Sequence, residues 1–207
     1  YLQGKVILGD MEPISDCLGV TVSRDRVNNN MWLSQRAAVD KIIKRAQLTE
    51  AKTAPTPMLP GLKLTKQDCP TAEAAAVMAD QQRHYRSVMA SIIYITNWTR
   101  PDVAYTVSKL CRFMHNPGEE HIKALKRLLR YLAGTADYGL RYDFSNGWNS
   151  AAHKNCKKAI HGFFDAAHAD CIDTYKTIGA FVFFYCNCAI SWHTKLLPTV
   201  TTSTNHS

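Results

Sequence analysis

Between residues 84 and 97 the apolar side chains Tyr85, Val88, Met89, Ile92 and Ile95 recur at helical spacing. Ile93 adds a second face, so the pattern predicts a largely buried helix. Pro101 opens a second helix, where its missing N–H costs nothing, and Asp102 in that first turn complements the helix dipole. Val103, Val107, Leu110, Cys111 and Met114 form its inward stripe. A third helix is expected to start with Asn116 as cap and Pro117 at its first position, and to end at Gly134. Its two sides differ sharply. Ile122, Leu125, Leu128, Leu129 and Leu132 share one, while Lys123, Lys126, Arg127 and Arg130 share the other.

On either side of this block the period changes. Residues 17–22 read as one strand, Asn28-Asn29-Asn30 as a turn, and Met31-Trp32-Leu33 as the returning strand. Ser34 then caps a helix carrying Val39, Ile42, Ile43 and Ala46 on one face. Pro55, Pro57, Pro60 and Pro70 make residues 53–82 a proline-rich connector, partly flexible, with a short helical stretch at 72–79. Past Thr135 come short strands at 138–142, 159–165, 178–186 and 188–193, with Asn146-Gly147 as a turn. The expected class is α+β. Four stretches follow: residues 1–52, a strand pair plus helix; 53–82, the connector; 83–135, the helical region; and 136–207, a strand-rich region.

Composition narrows the function. A hydrophobic fraction of 46% over 207 residues excludes global disorder. No apolar run reaches the roughly 18 residues a membrane span needs. Seven cysteines without a regular framework point to free thiols in a reducing, intracellular setting. The net charge of +8 biases the chain toward polyanions, and the four cations on the third helix are spaced to meet successive phosphates. His121 falls on the apolar arc of that helix, as a packed or capping residue rather than a base.

Several motifs stand in order: Leu33-Ser34-Gln35, Thr56-Pro57-Met58, Tyr85-Arg86-Ser87 and Thr99-Arg100-Pro101-Asp102. His121 follows, then Lys126-Arg127-Leu128-Leu129-Arg130-Tyr131-Leu132-Ala133-Gly134-Thr135. Together they resemble the copia-type retrotransposon Pol polyprotein, where the reverse-transcriptase thumb and connection region run into ribonuclease H. The resemblance implies that the chain is an interior piece whose ends are cuts. It makes residues 1–52 thumb-like, 83–135 the connection, and 136–207 a truncated ribonuclease H-like domain. The implied partners are an RNA/DNA hybrid or duplex, gripped by Lys123, Lys126, Arg127 and Arg130, and the remainder of the polyprotein, with no membrane. Arg100 beside Asp102 reads as a structural clamp.

The same resemblance supplies one chemical expectation. Gly162-Phe163-Phe164-Asp165 matches the strand whose terminal acid is the first metal-binding carboxylate of ribonuclease H, so Asp165 is the candidate catalytic and Mg²⁺-binding residue. Such enzymes use two divalent ions held by several carboxylates. Ala167 and His168 stand where a second Asp and an aromatic would be, and Asp170 and Asp173 read as exposed turn residues. Ile190-Ser191-Trp192 matches a later strand. Thr202-Ser203-Thr204 enters the helix whose glutamate would fall beyond Ser207. No Asp-Asp pair of a polymerase hairpin occurs. The implied function is a duplex-binding fragment without a complete active site. The alternative is a degenerate or repurposed stand-alone nucleic-acid-binding or structural remnant.

Overall fold

Leu18 and Gly19 both adopt positive φ, 53° and 75°, the pair of left-handed residues that a two-residue hairpin needs. Residues 17–22 are therefore a turn between two strands and not one strand. β1 (Asp16–Cys17) folds back onto β2 (Val20–Asp25), and β2 pairs with β3 (Asn30–Ser34) across the asparagine turn. The computed structural model describes residues 13–144, 160–167 and 169–198. The Asn146-Gly147 turn, His168 and Thr202-Ser203-Thr204 lie outside the described residues.

The first sheet takes its fourth strand from the far side of the helical block. β4 (Gly139–Asp143) pairs antiparallel with β3, setting Leu33 opposite Leu140 and Trp32 opposite Arg141. The Arg141 guanidinium also lies 5.3 Å from the Trp32 ring centroid. β4 thus joins the N-terminal strands and not the C-terminal ones beside which it falls in sequence. β5 (His161–Ala167), β6 (Ile178–Tyr185) and β7 (Cys188–Leu196) form a separate antiparallel sheet in that order.

The helices are α1 (Arg36–Arg45), α2 (Ala72–Val77), α3 (Ala79–Trp98), α4 (Ala104–Cys111) and α5 (Glu119–Gly134). Pro101 does begin a helical turn, a 3-10 turn over Pro101–Val103 that leads into α4. Two expected caps are displaced. Ser34 stays in the β3 ladder opposite Gly139, and Gln35 stands at the start of α1 with no side-chain capping bond. Asn116 is occupied elsewhere: it donates to the Pro70 carbonyl at 3.0 Å and accepts from Gln82 at 2.8 Å. α5 consequently starts two residues later, with Glu119 and Glu120 complementing its dipole.

One main core lies among the helices. Val39, Ile42 and Ile43 of α1 meet Tyr85, Val88, Met89, Ile92 and Ile95 of α3 and Leu125, Leu128, Leu129 and Leu132 of α5. The proline-rich segment contributes too. Leu64 joins this core, Ala54 is buried, and the Ala54 N–H donates to the Arg130 carbonyl at 3.3 Å. A smaller cluster of Leu140, Cys188 and Ala189 packs with Leu33, Tyr142, Val182, Phe184 and Trp192 where the two sheets approach.

Candidate nucleic-acid interface and acidic strand

Arg100 is the largest of the fully buried side chains, at 1% exposure. Its guanidinium donates to both carboxylate oxygens of Asp102, at 2.9 and 2.7 Å, and to the carbonyl and hydroxyl of Thr135, at 3.0 and 2.7 Å. The rings of Tyr131 and Tyr138 flank it, and the Tyr131 hydroxyl also donates to Asp102 at 3.0 Å. A planar, permanently charged fork suits such a site where a lysine would not. The neighbouring Thr99 hydroxyl donates to Gln35 at 2.9 Å, joining the start of α1 to the end of α3. The Thr99–Asp102 motif is thus a clamp closing the helical block, as the sequence predicts, and its charge is consumed internally.

The four cations of α5 do not share one environment. Lys126 is exposed and stands beside a cavity of about 400 Å³ lined also by His84, Ile122 and Leu129. Lys123 is exposed and paired with Glu120 at 2.7 Å. Arg127 is half-buried and donates to the Thr56 hydroxyl at 2.8 Å. Arg130 donates to the Lys52 carbonyl. The sequence gives no sign of this division, since helical spacing says which residues share a side and not which segment lies over it. Only Lys123 and Lys126 are both solvent-facing and clear of the 52–56 segment. A second cationic strip, which no sequence motif marks, lies on α1: Lys41, Lys44 and Arg45 are all exposed.

Asp165 lies on β5, an outer strand of the second sheet, opposite Ala180. The side chain is exposed, and one oxygen accepts the Ala166 N–H at 2.8 Å. Among the described residues no three His, Cys, Asp or Glu side chains converge on a possible ion. A lone carboxylate does not fit a divalent cation, which wants several oxygen ligands. The other acids near this sheet are engaged, contrary to their reading as exposed turn residues. Asp170 accepts from Lys109 at 3.0 Å and from the Tyr105 hydroxyl at 3.3 Å. Asp173 receives the Lys66 N–H with both oxygens, at 2.9 and 3.1 Å. Burial alone would lower the Lys109 pKa, but the hydrogen bonds and charges of Tyr105 and Asp170 carry it above its ordinary value. These contacts fasten the loop after β5 to the helical block. Trp192 of β7 adds to them by donating to the Thr96 carbonyl at 2.9 Å.

Comparison with known proteins gives a consistent set of relatives. The chain is 35% identical over 199 residues to the retrovirus-related Pol polyprotein from transposon TNT 1-94 of Nicotiana tabacum, covering 96% of this chain and 14% of that protein. It is 34% identical over 191 residues to the retrovirus-related Pol polyprotein from transposon RE1 of Arabidopsis thaliana, covering 90% of this chain and 11% of that protein. An uncharacterized mitochondrial protein of Arabidopsis thaliana is 32% identical over 199 residues, and there the match takes in 74% of the relative. The chain therefore spans a small part of the two polyproteins and most of the third protein. No family model and no solved structure matches it.

Proposed function

We propose, from the chain's similarity over most of its length to retrovirus-related Pol polyproteins of plant transposons, that it is the part of a copia-type reverse transcriptase–ribonuclease H that grips template–primer duplex. The observation that carries this reading is the continuous similarity over 199 residues, 96% of the chain, to the tobacco transposon polyprotein. RNA-directed DNA synthesis and hybrid RNA degradation belong to the parent, and its remaining segments are the partners of this one. Lys123 and Lys126 of α5 are the phosphate contacts. Arg127 and Arg130 act mainly by holding the 52–56 segment against that helix. Asp165 is one carboxylate of the parent's Mg²⁺ site, and these residues alone carry no complete site.

Fluorescence anisotropy with a labelled RNA–DNA hybrid tests the assignment. Lys123→Ala with Lys126→Ala should reduce the steepness of the log-affinity against log-salt line by about 2, at roughly 0.9 for each phosphate left unneutralised. An unchanged slope would remove α5 from the interface. Incubation of the hybrid with Mg²⁺ should leave the RNA intact. Cleavage that Asp165→Asn abolishes would mean that further ligands exist.

The second reading, a stand-alone remnant, draws on the Arabidopsis mitochondrial protein, of which this region makes up 74%. As a purely structural remnant it would be a folded, monodisperse chain with no salt-sensitive affinity for hybrid, which the same titration distinguishes.

A further inference from the structure

Resting on the nucleic-acid reading, we propose that the groove between α1 and α3 holds an unpaired nucleotide stretch adjoining the duplex, stacking a base on Tyr94 and Trp98. Nothing in the sequence motifs points to this groove. Its volume is about 410 Å³, and its floor is apolar, with Ala38 and Ile42 from α1 and Ala90 and Ile95 from α3.

Tyr94 lines the groove and Trp98 adjoins it one turn further along α3: they are 39% and 43% exposed, with ring centroids 6.2 Å apart and planes tilted by 49°. A single exposed ring is ordinary, whereas neighbouring rings beside an apolar groove form a patch able to take a ligand. Tyr94 is also fixed in place. Its hydroxyl donates to the carbonyl of Leu18 in the β1–β2 turn, so the ring is held before any ligand arrives. A preset platform loses little entropy on binding.

The α1 side supplies the charge. Lys41 and Arg45 line the groove, and Lys44 lies one turn from Lys41 on the same exposed strip. Among the described residues none of the three forms an ion pair, whereas Asp40 beside them is engaged by Arg36 at 3.6 Å. Cations facing exposed rings across an apolar floor are the combination that binds single strands: phosphates track the positive side while bases stack on the other. A duplex offers its paired bases no such access, so the groove favours an overhang. A peptide without acidic residues would leave three unpaired cations unused.

The test compares a blunt fluorescein-labelled hairpin with the same hairpin carrying a single-stranded overhang, titrated with the full chain. The wild-type protein should favour the overhang by about tenfold. Trp98→Ala should erase that preference without touching the blunt affinity, and Trp98→Phe should keep most of it. Replacing Lys41, Lys44 and Arg45 together by alanine should flatten the salt dependence of the overhang complex by about 2, at roughly 0.7 per phosphate. This second variant sits on an exposed helix face, so it stands even if Trp98→Ala fails to fold. Equal affinity for both hairpins, or a preference untouched by either variant, would overturn the groove assignment and leave duplex binding by α5 intact. Absence of binding to either hairpin would overturn both. A dimer dispersed by Trp98→Ala, without overhang preference, would give the groove to a second copy instead.

Discussion

At the residue scale, the same kinds of side chain carry opposite roles according to what surrounds them. Arg100 and Lys126 are both cations near helices, yet one is sealed among Asp102, Thr135 and two tyrosines while the other faces solvent. Arg100→Met should lower unfolding free energy by about 3 kcal/mol in urea titrations, because it strands a partly buried carboxylate and the Thr135 acceptors. His121 shows burial of another kind. It is fully buried, its ring stacks on Phe113 at 4.0 Å, and its Nδ1 accepts the Gly118 N–H at 3.0 Å. Burial pulls its pKa below the ordinary value, against the opposing pull of Asp68, Asp173 and Glu120. The unfolded chain therefore takes up the proton first. Stability is complete above about pH 6.5 and should fall as the pH drops below it, because protonated Nδ1 would face a donor with a donor. His121→Gln should flatten that part of the stability–pH curve, as measured by denaturant midpoints between about pH 7 and pH 5.

At the scale of elements, helical periodicity identifies the buried faces well and the helix ends less so. Tyr85, Val88, Met89, Ile92 and Ile95 are all buried, as spacing alone implies, since an apolar stripe has only one place to go. Asn116 does not cap α5 for a reason outside its own neighbourhood: Pro70 and Gln82, both distant in sequence, claim the side chain. The hairpin at Leu18-Gly19 has a signal in Gly19, but Leu18 in a left-handed conformation hides it. Strand partners are harder still. Pairing of β3 with β4 joins residues about a hundred positions apart, and alternation along one strand says nothing of its neighbour. Of the candidate site, the Arg100–Asp102 clamp and the exposed lysines of α5 are legible in the sequence. The capture of Arg127 by Thr56 and of Arg130 by Lys52 is not. Gly118 gives this level its sharpest test. A Cβ there would lie 1.9 Å from the Asp68 carbonyl oxygen, where the turn over Lys66–Asp68 packs on the start of α5. Gly118→Ala should cost about 2–3 kcal/mol by chemical denaturation, far above an ordinary glycine-to-alanine change.

At the scale of the whole molecule, the described residues make one helical core with two antiparallel sheets. The second sheet and its loop are bound to the rest by Trp192 to Thr96, Lys109 to Asp170 and Lys66 to Asp173. No described helix is long and apolar enough to cross a membrane. Of the cations described above, Arg100, Lys109, Arg127 and Arg130 brace the fold, while Lys41, Lys44 and Arg45 on α1 and Lys123 and Lys126 on α5 face solvent. The acids divide similarly, with Asp170 and Asp173 bracing and Asp165 exposed without a cluster. Exposed cations on two helices are what the proposed duplex-gripping role requires. The most direct measurement is the affinity of the wild-type chain for an RNA–DNA hybrid as salt is raised from about 50 to about 200 mM. Binding that weakens about a hundredfold or more is the predicted result, from the exposed lysines and arginine of the two helices. Affinity that is absent throughout, or that stays constant as salt rises, would contradict the account.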